Sequence, residues 1–178
     1  LGVFGSEEDC REQARQLNAG AITDPRPTAI TDLHSWELDR LGNQLFRADR
    51  FAAAFVCFQS AVLAARQTTD RFALAVALKD RGITHRYMVR HEQALTDLSE
   101  AQELFRELDP EGPFYVSTLL NLGMSFAALG VHERALALYD EQLAIARARN
   151  DPGMLYASLV RLGDAALGLD RPELALAQ

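Results

Sequence analysis

The sequence predicts an all-α solenoid of stacked helix-turn-helix units, on three observations. Gly42, Gly82, Gly123 and Gly163 recur at steps of 40, 41 and 40 residues. Ala54, Ala94, Ala135 and Ala175 keep the same steps, always twelve residues behind their glycine. The stretches around both sets are amphipathic with a helical period, and no strand-like alternation of any length occurs. Two residue types drifting in lockstep over four copies mark a repeat array, in which each unit buries its apolar face against the next.

Turn chemistry divides the chain. Ser6-Glu7-Glu8-Asp9 starts a helix, with Ser6 as N-cap and an acidic first turn, running to about Asn18 before Ala19-Gly20. Asp24-Pro25-Arg26-Pro27 then breaks the helical pattern. Residues 1–30 are therefore expected to be a lead helix and a proline-containing linker, acting as a cap or degenerate repeat. The array occupies residues 31–178 in units 31–68, 69–108, 109–149 and 150–178, the last incomplete. Thr69-Asp70, Asp109-Pro110-Glu111-Gly112-Pro113 and Asn150-Asp151-Pro152-Gly153 each offer a capping side chain ahead of a new helix, and the last two add proline. Shorter turns fall inside the units at Asp49-Arg50, Arg90-His91, Gly130-Val131 and Asp170-Arg171-Pro172.

A glycine inside a helix costs about 1 kcal/mol against alanine, so four in phase need a packing reason. The expectation is that each lets the first helix of its unit lie close to the second, where the small Ala54, Ala94, Ala135 and Ala175 meet it. Copy one supplies Leu38, Leu41-Gly42, Leu45, Ala54, Phe58 and Ala61. Copy two has Leu78, Gly82, Ala94, Leu98 and Ala101, but Arg81 and His85 at positions apolar elsewhere. Copy three has Leu119, Leu122-Gly123, Phe126, Ala135 and Tyr139, with Gln142 in place of the last alanine. Copy four has Leu159, Leu162-Gly163 and Ala175. These residues and spacings resemble the tetratricopeptide repeat, in a long form of about 40 residues like that of bacterial signalling regulators and kinesin light chains. The resemblance covers roughly residues 33–178 and implies an α-α superhelix.

Composition narrows the function. The 178 residues carry a formal charge of -7 and no Lys/Arg run, which disfavours direct nucleic-acid binding. Lys79 is the only lysine, an arginine bias that suggests a bacterial source. No apolar run approaches the ~20 residues that span a membrane, and no signal peptide opens the chain, so a cytoplasmic location is expected. Cys10 and Cys57 lie apart and read as reduced. His34, His85, His91 and His132 never fall at i, i+4, and no HExxH or CxxC occurs, so no metal is expected. His91 and His132 read as solvated turn residues, and Glu100, Glu103 and Glu107 as exposed helix stripes. No nucleophile elbow, P-loop or dinucleotide fingerprint is present, so neither catalysis nor a cofactor is expected.

In the family resembled, the concave groove is lined by the first helix of each unit. Placing each glycine at the eighth position of its unit puts Trp36, Asp39, Arg40, Asn43, Phe46 and Arg47 in that groove, followed by Lys79, Asp80, Arg86 and Tyr87. Ser117, Asn121, Met124, Arg161 and Asp164 follow from copies three and four. Family members that act as chaperone co-factors clamp a peptide's C-terminal carboxylate. Lys79, Asn121 and Arg161 match three clamp positions, while Ile83 and Ala157 replace the other two. A looser mode needs no such clamp: Asn43, Arg86, Asn121 and Arg161 bond an extended backbone, while Trp36, Phe46, Tyr87 and Met124 supply apolar area. Trp36 and Phe46 have an alternative role, packing beneath the lead segment.

The expected function is a non-catalytic module binding a protein or peptide. The alternative is a sensory or regulatory segment of a larger bacterial protein whose output domain, a diguanylate cyclase or transcriptional regulator, lies outside this chain. Leu174 and Leu176 lack a following helix to cover them, so the C-terminal repeat is expected to mediate homodimerisation.

Overall fold

A computed structural model describes residues 35–169. The lead helix, the linker, His34 and the dimerisation expected through Leu174 and Leu176 lie outside the described residues. Within them run α1 (Ser35–Arg47), α2 (Phe51–Arg66), α3 (Arg71–Tyr87), α4 (His91–Leu108), α5 (Pro113–Ala128), α6 (His132–Ala148) and α7 (Pro152–Gly168). No strand occurs among the described residues. No helix among them is long and apolar enough to cross a membrane.

Helix starts follow local chemistry. The Asp70 carboxylate accepts from the Ala73 N–H at 2.9 Å, and Asp151 from the Met154 N–H at 2.9 Å. Each satisfies a donor that the first turn leaves open. At α5 no side chain caps: Gly112 is the N-cap, and Pro113 in the first turn removes one donor outright. The helix ends inside the first three units share one device. Asp49, Val89 and Gly130 each sit seven residues after their unit's glycine and adopt positive φ, at 56°, 59° and 75°. The next N–H reaches back five residues, Arg50 to Leu45 O, Arg90 to His85 O and Val131 to Phe126 O, each at 2.9 Å. That is the Schellman closure, which reverses the chain into the second helix.

Packing corrects the expectation for the glycines. A Cβ on Gly42 would lie 2.6 Å from Phe58, one on Gly82 2.7 Å from Leu98, and one on Gly123 2.3 Å from Tyr139. These three glycines make room for the large side chain one turn beyond Ala54, Ala94 and Ala135, rather than for the alanine itself. Ala54, Ala94 and Ala135 are fully buried nearby. One core cluster joins Leu38 and Ala61 to Leu78, Phe105, Tyr115 and Leu119, across three helix pairs. Stability is thus shared between neighbours, and each large aliphatic side chain so buried contributes roughly 1.5–3 kcal/mol.

Two polar readings also change. Cys57, fully buried, is disulfide-bonded and the described residues hold no free cysteine, against the expectation of reduced thiols. His91 and His132 open α4 and α6 with Nδ1 sealed from solvent, and the His132 ring fills the space a Cβ on Gly168 would need. They are packing residues at helix starts, not solvated ones.

Candidate interaction groove

The helix contacts define an inside and an outside. α1 touches α3, α3 touches α5 and α5 touches α7, while no two of α2, α4 and α6 approach to the same extent. The first helices of the pairs therefore line the tighter, concave side. Across the outer side long side chains span the wider gap, as where Arg66 on α2 reaches Glu100 on α4 at 2.7 Å. Glu107 likewise pairs with Arg71 at 2.5 Å, so two of the three stripe glutamates are exposed but ion-paired.

On the concave side, Arg86 donates from Nε to Asn121 Oδ1 at 3.0 Å, and Asn121 donates to Ser117 O at 2.8 Å. The Arg86 guanidinium also lies 4.5 Å from the Tyr87 ring centroid. Tyr87 belongs to an aromatic trio, 4.9 Å from Phe46 and 5.2 Å from Phe51. The arrangement fixes Arg86 by a hydrogen bond and a ring face at once. Trp36 and Tyr87 remain 57% and 48% exposed. Arg161 lies 3.4 Å from Asp164 one turn away, and Met124 packs half-buried against the Tyr139 and Leu162 cluster. Beneath them, burial raises the Tyr139 hydroxyl to about 12, keeping it neutral.

Lys79 differs from a projecting clamp residue. It is buried, its ammonium is bonded to Asp80, and it lies 5.2 Å from the Phe114 ring. Asn43 donates from one Nδ2 to Asp39 Oδ2 at 3.0 Å and to Asp80 Oδ2 at 3.2 Å. Burial, then the Asp80 charge, raise the Asp39 carboxyl to about 8. The three clamp positions are therefore not alike: Lys79 and Asn121 are buried and occupied by neighbours, and only Arg161 is half-exposed. Asp39 and Asp80 meet through Asn43 in the groove, and sequence reasoning placed them there without assigning them a role. The signal was available: Asp39 and Asn43 are one turn apart, and Asp80 occupies the matching face of the next unit.

Copy two's departures from the apolar pattern meet one compensating residue. Asp97 on α4 accepts from Arg81 Nε at 2.7 Å and from its terminal nitrogen at 2.6 Å, with His85 Nε2 at 3.8 Å. Burial lowers the His85 pKa, the Asp97 charge opposing it. No group of three or more His, Cys, Asp or Glu able to hold a metal occurs among the described residues.

Helix pairs whose first members line a concave face make this an all-α superhelix of helix-turn-helix repeats. Residues 87–148 match the tetratricopeptide repeat family model. That match and the fold together support a tetratricopeptide repeat protein. No curated protein matches the sequence. Among solved structures it is similar to BtubC (BKLC) from P. vanneervenii, with a TM-score of 0.77 and 21% identity over 96% of this chain and 68% of that one. The apo form of RapI gives 0.70 and 16%, over 93% of this chain and 44% of RapI. The first tetratricopeptide domain of Spaghetti (RPAP3), bound to the HSP90 peptide SRMEEVD, gives 0.56 and 19%, over 81% and 94%. At these identities the likeness is one of fold.

Proposed function

We propose that the chain is a non-catalytic protein- or peptide-binding module, with units 31–68, 69–108, 109–149 and 150–178 and a concave face formed by their first helices. The observation that carries this is the Arg86 platform. A guanidinium pinned by Asn121 and held against the half-exposed Tyr87 ring gives an anchored cation and aromatic area on one face. Arg and aromatic side chains of this kind dominate interface energies. The groove positions also carry Arg40, Arg47, Lys79, Arg86 and Arg161 against Asp39, Asp80 and Asp164, in a chain of net charge -7. A ligand bearing carboxylates suits that local excess of positive charge. The RPAP3 domain of the same fold holds a peptide with two glutamates and an aspartate, which supports the class of ligand.

The test is selection of binders from a displayed peptide library, followed by titration against Arg86→Glu combined with Arg161→Glu. The expected loss is about 2 kcal/mol or more, roughly thirtyfold in Kd, with helical circular dichroism unchanged. Binders that keep their affinity would move the site off this face. A second reading makes the module the regulatory part of a larger bacterial protein. RapI supports it, since this chain spans only 44% of that structure. A native protein mass near 19.7 kDa would argue against it.

A further inference from the structure

Two carboxyl groups meet on the concave face, one from each of the first two helix pairs. Asn43 Nδ2 bonds Asp39 Oδ2 at 3.0 Å and Asp80 Oδ2 at 3.2 Å, so both oxygens crowd one amide. Asp39 Oδ1 is sealed from solvent with no donor reaching it. Two ionised carboxylates crowded on one amide repel each other, so the arrangement favours one proton between the two groups. Lys79 bonds Asp80, which leaves the proton to Asp39.

Asp39 faces Lys79 and Asp80 from α3. α2, the other described helix against α1, carries a single charged side chain, Arg66, which pairs with Glu100. α1 itself adds Glu37, Arg40 and Arg47 around its length.

We infer that the Asp39–Asp80 pair is a proton-operated latch between α1 and α3, holding the first two repeats together across the concave face while it retains one proton and loosening that seam when both carboxyls are ionised. Loss of the proton sets two like charges against each other in a partly desolvated seam. The α1–α3 contact then weakens while the packing of α1 on α2 stays intact. Burial and the Asp80 charge place the release near pH 8. The latch needs no ligand, so it stands or falls separately from the binding proposed above.

The chain supplies its own reporter: Trp36, the single tryptophan, sits one turn before Asp39 on α1. Fluorescence of the full chain followed from pH 6.5 to 9.5 should show one transition with a midpoint near 8. Asp39→Asn should abolish it, and Asp80→Asn should move it at least one pH unit lower. Carboxyl 13C shifts of the unaltered chain give a variant-free check, with one aspartate titrating near 8. A Trp36 curve unchanged by Asp39→Asn, or all aspartates titrating below pH 6, overturns the latch. So does an aspartate that titrates near 8 with no accompanying change at Trp36.

Discussion

Val89 occupies a backbone conformation that costs it energy. Its φ of 59° is left-handed, and a β-branched side chain there crowds its own backbone. Gly130 holds the equivalent turn of the next unit at 75° without that cost, and Asp49 holds the preceding one with a short polar side chain. Val89 is 75% exposed, so its side chain returns little burial. Val89→Gly is expected to stabilise the chain by about 0.5–1 kcal/mol, the relief of left-handed strain less the added chain entropy of glycine. Thermal unfolding should rise by roughly 1–4 °C. An unchanged or lowered transition would show that the turn is not strained. The sequence marked these turns by position, and Gly130 announced the left-handed residue; Val89 did not, because its residue type argues against the conformation that the closing hydrogen bonds impose.

Between elements, the informative position is Asp97. Copy two places Arg81 and His85 where other copies have apolar residues, and both are visible in the sequence as departures from the repeat. Their answer, Asp97, sits sixteen residues after Arg81 on the facing helix, among α4's own apolar positions, where only the three-dimensional pairing gives it meaning. The Arg81 and Asp97 side chains are 16% and 7% exposed, so neither charge is tolerable alone. Asp97→Ala is expected to cost about 3–5 kcal/mol by leaving a buried guanidinium unpaired. Adding Arg81→Leu, which restores the residue type found in copies one, three and four, should recover most of that loss. Chemical denaturation of the single and double variants decides it: a double variant no better than Asp97→Ala would show that the ion pair is not the source of the cost. The glycines tell the same story in apolar form. Their spacing was legible, but the residue filling each gap was not. A cross-helix contact is set by where Phe58, Leu98 and Tyr139 point, and a one-dimensional pattern does not record direction.

At the scale of the whole molecule, the array follows from periodicity alone, because every unit repeats the same burial, and the inward side of its first helices follows from the resemblance to tetratricopeptide repeats. The state of the groove does not. Which of its charges face a partner and which bond each other depends on distances between units, and so Lys79 proves to be sequestered while Arg86 is held in place. These inter-unit charges also set how stability responds to pH, through two groups of opposite sign. Asp39 is raised from 3.8 to about 8, so the folded chain binds a proton that the unfolded chain releases. Its contribution is complete below about pH 4, is lost as pH rises to about 8, and is level beyond. His85 is lowered from 6.5 by burial, so the folded chain refuses a proton that the unfolded chain takes up. Its contribution is complete above pH 6.5 and is lost as pH falls below it. Between 6.5 and 8 only Asp39 slopes, and stability should decline with rising pH; below 6.5 His85 opposes it and flattens or reverses the trend. His85→Gln, which keeps a polar group beside Asp97 but takes up no proton, should remove that opposition. Urea denaturation from pH 5 to 8.5 should then show stability rising steadily toward acid in the variant, where the unaltered chain levels off. Identical profiles for the two proteins would show that His85 charges freely in the folded state and that Asp97 offsets its burial.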